Sequence, residues 1–117
     1  MYKNLVMYRN ELKNRIIPKY IVIGITAELI LSKEIFKRNN DLTKFLKDIF
    51  SVEYKEYVMK SRTMIMARTC RLVYEASDEQ FNEMKKELID FVSAMIDVYK
   101  NEGKIVNEKN PLSGWVK

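Results

Sequence analysis

The sequence lacks histidine and contains one cysteine, Cys70. Histidine titrates near neutral pH and is the commonest metal ligand, so its absence argues against most acid–base catalysis and against Cys/His zinc sites. A single cysteine forms no disulfide within the chain, and we interpret it as a small buried hydrophobe in a reducing compartment. The sequence therefore predicts a cytoplasmic protein that is not an enzyme, with no catalytic residues, no metal and no other cofactor.

Glycine, proline and long apolar runs are also scarce. Only three glycines and two prolines occur in 117 residues, and no Asn-Gly or Asp-Gly pair marks a tight hairpin. The most apolar stretch, Tyr20 to Leu31, includes Glu28 and is shorter than the ~20 residues that a membrane span needs. Arg9 and Glu11 interrupt the stretch where a signal peptide would be apolar. Since phosphate-binding glycine loops are missing too, we expect neither a membrane segment nor a small-molecule substrate.

Helical spacing is what the sequence does contain. Apolar residues recur at steps of three and four, most clearly from Phe81 to Val98, after a Ser77–Gln80 pair in capping-box spacing. We predict an all-α fold, a single-domain bundle of about five helices in residues 1–103. The first four predicted helices cover residues 3–15, 18–37, 42–50 and 53–76, and Ser77 and Gly103 bound the fifth. Residues 104–117 are predicted to be an extended tail, in which Trp115 either anchors a partner or folds back on its own domain.

The net charge of +5 is unevenly distributed. Residues 1–76 contain 15 Lys and Arg against 8 Asp and Glu, whereas residues 77–102 contain 3 against 7. The first four predicted helices are therefore basic and the fifth is acidic. Such an asymmetry is informative about binding partners rather than about the fold.

The densest basic cluster lies on the fourth predicted helix. At about 100° per residue, Lys60, Arg68 and Arg71 share one sector of that helix. We call these three residues the basic stripe. A smaller group, Lys55 and Arg62, lies about half a turn away on the same predicted helix. The first helix adds Arg9, Lys13 and Arg15. The full set of predicted nucleic-acid-binding residues is Arg9, Lys13, Arg15, Lys55, Lys60, Arg62, Arg68 and Arg71.

Two functions fit the basic stripe. The first is a non-enzymatic protein whose lysines and arginines bind phosphates of a nucleic acid, for which we expect DNA rather than RNA. A helix-turn-helix mode is disfavoured because Glu53 and Glu56 would begin the recognition helix. The second is a protein–protein interaction module or assembly subunit, in which the arginines pair with acids of the fifth helix such as Glu83, Glu87 or Asp90, within the chain or across a dimer, or with another chain. Both are compatible with a homo-oligomer, such as a homodimer, because long amphipathic helices often complete their burial across a two-fold axis.

Glu28 is the one acidic residue in the apolar run of the second predicted helix. A buried carboxylate needs a partner, because an unpaired buried charge is very costly. We therefore predict a structural ion pair between Glu28 and an arginine of the fourth helix. A catalytic Glu28, acting with tyrosine or arginine groups, is the more distant interpretation, since no second acid or base stands near it in the sequence.

Overall fold

The computed structural model describes residues 1–102. Helices are the only regular elements in this range, which confirms the predicted all-α fold. The elements are α1 (Tyr2–Leu12), α2 (Lys19–Leu31), a 3₁₀ turn (Asn39–Asp41), α3 (Leu42–Phe50), α4 (Glu56–Met59), α5 (Arg62–Glu75) and α6 (Asp78–Glu102). The predicted Gly103 cap, the tail over residues 104–117 and Trp115 lie outside the described residues.

The helices pack in nested pairs. The helix α2 packs against α5, and α1, which precedes α2, packs against α6, which follows α5. The short helix α4 packs on α5, and α3 packs on α6. The molecule is 19 Å across its thinnest direction. Because one helix with its side chains is ~10 Å wide, that thickness corresponds to two layers of helices, so each helix keeps one side towards solvent.

Reciprocal contacts join the ends of α2 and α5. At the start of α2, the Lys19 ammonium donates to the carbonyls of Tyr74 and Ala76, at 3.0 and 2.5 Å, where α5 ends. At the start of α5, the Arg62 guanidinium donates to the carbonyl of Ile30 at 2.9 Å, where α2 ends. The last carbonyls of a helix have no partner within it, and a cation stabilises that end of the helix dipole. Each helix of this antiparallel pair therefore caps the C-terminus of the other.

Three phenylalanines form the centre of the core. The ring of Phe36 lies 5.0 Å from Phe45 and 5.8 Å from Phe91, and the centroids of Phe45 and Phe91 are 4.9 Å apart. All three are buried. Aromatic contacts of this kind each contribute ~1 kcal/mol beyond their buried area. The cluster ties α3 and α6 to the loop that contains Phe36.

The position of Phe36 explains why the second helix is shorter than predicted. The helix α2 ends at Leu31 rather than at Lys37, and Ser32 has extended backbone angles (φ −77°, ψ 111°). Ile35 and Phe36 are fully buried in the following turn. Their apolar spacing continued the helical pattern, but the chain turns here to bring Phe36 to the core. The first helix likewise ends earlier than predicted, at Leu12.

The fourth predicted helix is divided in two. Residues 53–55 are not helical, and a break at Lys60 and Ser61 separates α4 from α5. Ser61 is the N-cap of α5, where its Oγ accepts a hydrogen bond from the Met64 N–H at 3.2 Å. The predicted capping box at the start of α6 is present: Ser77 N–H donates to Gln80 Oε1, and Gln80 N–H donates to Ser77 Oγ.

Candidate nucleic-acid interface

The basic stripe spans the end of α4 and the outer side of α5. Lys60 follows the last residue of α4, and Arg68 and Arg71 lie two and three turns into α5. All three side chains are exposed, as is Tyr57 of α4, whose side chain stands beside Arg68. The break between α4 and α5 leaves Lys60 outside the helix that carries Arg68 and Arg71, so the three residues do not lie on one continuous helix as the sequence predicted.

The contacts within the stripe are local and weak. The guanidinium of Arg68 stacks near the Tyr57 ring, with its central carbon 5.8 Å from the ring centroid. Lys60 pairs with Glu56 at 3.6 Å, and Arg71 pairs with Glu75 at 3.2 Å. Exposed pairs four residues apart on a helix stabilise it by only ~0.3–0.5 kcal/mol. These contacts orient the cationic groups without consuming their capacity to bind an anion.

A surface cavity of about 430 Å³ adjoins the two arginines. Its lining consists of Tyr54, Arg68, Arg71, Leu72 and Glu75. The Tyr54 hydroxyl lies 2.9 Å from Thr69 Oγ1, and burial raises the pKa of this phenol, so it stays neutral in the physiological range. The cavity thus combines two guanidinium groups, a neutral phenol and one carboxylate.

No acid of α6 pairs with the basic stripe in the part of the chain that the structure describes; Lys60 and Arg71 pair with Glu56 and Glu75 instead. No ion pair within residues 1–102 involves an acid of α6. Glu87 and Asp90 instead line a small depression with Asp48. Glu79 and Glu83 border a larger groove of about 640 Å³, whose apolar residues include Phe50 and Met84. Basic and acidic surfaces therefore adjoin at Glu75, which lines both this groove and the arginine cavity.

Arg62, which the sequence placed among the nucleic-acid-binding residues, has a different environment. Its guanidinium donates to the carbonyls of Ile30 and Phe36, at 2.9 and 2.8 Å, and to Asn39 Oδ1 at 2.8 Å. Burial lowers the pKa of this guanidinium from its usual value, but arginine stays charged at any physiological pH. Arg62 therefore connects α5 to the end of α2 and to the loop after it.

The remaining predicted binding residues are spread over the molecule. Lys55 is exposed just before α4, and Lys60 of the stripe directly follows the same helix. Arg9 lies on α1, and Lys13 and Arg15 are exposed in the turn that follows. That turn is joined to α6 by Lys85, whose ammonium donates to the carbonyls of Asn14 and Arg15. Arg9, Lys13 and Arg15 therefore lie on or next to α1, which packs on α6, whereas Arg68 and Arg71 lie on α5, which packs on α2.

Glu28 is exposed, and its partner is a tyrosine rather than an arginine. Its Oε1 accepts a hydrogen bond from the Tyr8 hydroxyl of α1. Burial and the neighbouring carboxylate together raise the pKa of Tyr8. The expected ion pair with an arginine does not form within residues 1–102, because Glu28 lies on the side of α2 that meets α1, not on the side that meets α5.

The exposure of the aromatic residues was not apparent from the sequence. Tyr57 is 58% exposed beside the stripe, and Tyr20 and Tyr74 are more exposed still. Within residues 1–102 no three acidic or cysteine side chains converge in the way a metal ion would require. Over the same range no helix has the length and apolar character to cross a membrane.

Comparison of the chain with known protein families, with curated proteins and with solved structures finds no match.

Proposed function

We propose that this protein binds the phosphate backbone of a nucleic acid, DNA rather than RNA, through Lys60, Arg68 and Arg71. The observation that carries the proposal is that Arg68 and Arg71 are exposed at an open cavity while the acids of α6 pair with neither. A basic stripe that served only to bind the acidic helix of its own chain would be occupied by those acids.

The chemistry of the stripe suits a phosphodiester. A guanidinium presents paired N–H donors that match two phosphate oxygens, and such charge-assisted bonds are about twice as strong as neutral ones. Tyr57 adds an exposed aromatic ring next to Arg68. Stacking of one base on such a ring contributes ~1–3 kcal/mol, and it requires an unpaired base. We therefore expect single-stranded DNA to bind at least as well as a duplex, with little sequence preference.

The proposal is tested by fluorescence anisotropy with labelled duplex DNA, single-stranded DNA and single-stranded RNA. At about 50 mM salt we expect micromolar dissociation constants that rise steeply towards physiological salt. Replacement of all three stripe residues, K60Q with R68Q and R71Q, is expected to weaken binding at least ~10-fold and to lower the salt slope by about 2–3.

A matched control removes the same charge elsewhere. Lys3, Lys47 and Lys86 are exposed on α1, α3 and α6, and their triple change to glutamine is expected to leave the affinity within about two-fold. Equal losses in the two triple variants would mean that net charge alone drives binding. That result, or no binding at low salt, would refute the proposed interface.

An assembly function is the second candidate. It is favoured by a different observation, the exposed tyrosine rings of Tyr20 and Tyr74, which lie on α2 and α5 where these two helices meet.

A further inference from the structure

The exposed sides of α2 and α5 carry matching rows of uncharged residues. Tyr20, Gly24 and Leu31 form the row on α2, and Thr63, Ala67 and Tyr74 form the row on α5. Both rows follow the same spacing, four residues and then seven, so each lies along one side of its helix. We call these six residues the α2–α5 face. None of the six is charged, and the exposed Glu28 and Arg71, one turn after Gly24 and Ala67, border the face.

The two rows lie next to each other on one surface. Cys70 Sγ is 3.7 Å from the Ile23 carbonyl at the contact between the helices, and Lys19 bonds the Tyr74 carbonyl at one end of it. The two tyrosine side chains at that end are well exposed: Tyr20 is 71% exposed and Tyr74 is 70% exposed. Leu31, at the opposite end of α2, is 42% exposed. The most apolar helix of the protein thus keeps an uncovered apolar side.

Gly24 provides a separate indication that another molecule packs against the α2–α5 face. A Cβ added at Gly24 would meet no atom within 4 Å, so packing within the chain does not require a glycine at this position. Glycine inside a helix costs ~0.5–1 kcal/mol relative to alanine, and its common use is to let another backbone approach closely. With Ala67 small as well, the middle of the face is open to a second pair of helices.

The dimensions and the charges favour a second copy of this chain as the occupant. Two helices of this length, side by side, present a surface roughly 20 Å by 20 Å. The flat area of that surface is ~400 Å², so a stable dimer, which buries ~800 Å² per partner, would also bury residues around its rim. A two-fold axis parallel to the helices would set α2 of one copy over α5 of the other, and because the six residues of the face are uncharged, no like charges would be brought together there.

We propose that the α2–α5 face is the interface of a homodimer, in which the α2–α5 pairs of two copies pack into a four-helix arrangement. Arg68 and the arginine cavity lie on the side of α5 that faces α4, outside this interface. The dimer therefore leaves Lys60 and Arg68 exposed in both copies, whereas Arg71 lies at the rim of the interface.

The test is sedimentation analysis of the full chain over a protein concentration range, with no nucleic acid present. The wild-type protein is expected to sediment at twice the 14.0 kDa of one chain. Gly24→Glu places a charge in the middle of the face and is expected to weaken the dimer at least ~100-fold, because an uncompensated charge in a buried interface is strongly unfavourable. The same variant is expected to keep its helical circular dichroism, since glutamate is a better helix former than glycine and space is available.

The matched control is Thr43→Glu, which adds the same charge at an exposed position on α3 and is expected to leave the dimer intact. A wild-type protein that stays monomeric at high concentration would overturn the proposal. So would a Gly24→Glu protein that dimerises as tightly as the wild type. Neither outcome bears on nucleic-acid binding, which the anisotropy experiment tests separately.

Discussion

Two arginines on the same helix have opposite environments. Arg62, the first residue of α5, makes three hydrogen bonds to α2 and the loop beyond it, whereas Arg68, less than two turns later, stands exposed beside Tyr57. The difference arises from what lies opposite each side chain. Arg62 meets the unpaired carbonyls at the end of α2, while Arg68 meets solvent and the edge of a cavity. Position relative to a neighbouring helix end, rather than residue type, decides whether an arginine stabilises this fold or is free to bind a ligand.

Among the variants that compare these two environments, we expect Arg62→Ala to lower the free energy of unfolding the most. The change leaves the carbonyls of Ile30 and Phe36 and the Asn39 side chain without their donor. Since a lost partner in a partly buried, charge-assisted hydrogen bond costs ~1–3 kcal/mol, we expect the free energy of unfolding to fall by about 3 kcal/mol. Urea denaturation monitored by circular dichroism measures this loss.

Two further variants test the comparison between Arg62 and Arg68. Arg62→Lys keeps the charge but cannot reach three acceptors in fork geometry, so it is expected to recover less than half of the loss. Arg68→Ala, on the exposed part of the same helix, is expected to change the stability by less than ~0.5 kcal/mol. If Arg62→Ala were as stable as Arg68→Ala, the contacts of Arg62 would contribute little and the contrast between the two sites would disappear.

An intermediate loss of stability is expected from a change at Ser61, which lies between the end of α4 and the start of α5. Ser61→Ala removes the acceptor for the Met64 N–H, and loss of such a cap costs about 1 kcal/mol. Urea denaturation checks this value, and Ser61→Asp, which retains a capping oxygen, should restore most of the stability. Equal stability of the alanine variant and the wild type would show that the break does not depend on its cap.

The smallest effect is expected from the ion pair at the other end of α5. Arg71→Gln removes the pair with Glu75, in which both side chains are well exposed. The expected loss is about 0.3 kcal/mol at low salt and close to zero at high salt, because exposed charges are screened. Denaturation at two salt concentrations measures it. A loss comparable with that of Arg62→Ala would show that Arg71 supports the fold and would weaken the case for a binding role.

The strongly periodic parts of the molecule were predictable from the sequence. The all-α fold, the capping box of Ser77 and Gln80 and the grouping of Arg68 with Arg71 on α5 all follow from spacing along a helix, whereas the break before α5 separates Lys60 from that helix. Such features depend on neighbours three or four residues apart, which the sequence displays directly.

Features that depend on distant residues were not predictable in this way. The pattern gave no sign that Phe36 must leave the helix to reach Phe45 and Phe91. The role of Arg62 required knowledge that the end of α2 lies opposite the start of α5. Ser61 is a residue type that favours the start of a helix, and it was the one available signal of the break before α5. The exposure of Tyr57 depends on the packing of α4 and could not be deduced from periodicity.

The nested pairing of helices has a consequence for the order in which the chain folds. The pair α2–α5 closes over the intervening α3 and α4, and the pair α1–α6 closes over all of these elements. Closing a loop twice as long costs only about 0.6 kcal/mol more, so the outer pair forms at little additional entropic cost once the inner pair has brought its ends together. We therefore expect the inner pair, fixed at both ends by Lys19 and Arg62, to be the template on which the first and last described helices assemble. Contacts between residues this far apart in the chain slow folding relative to a bundle whose sequential helices pair with each other.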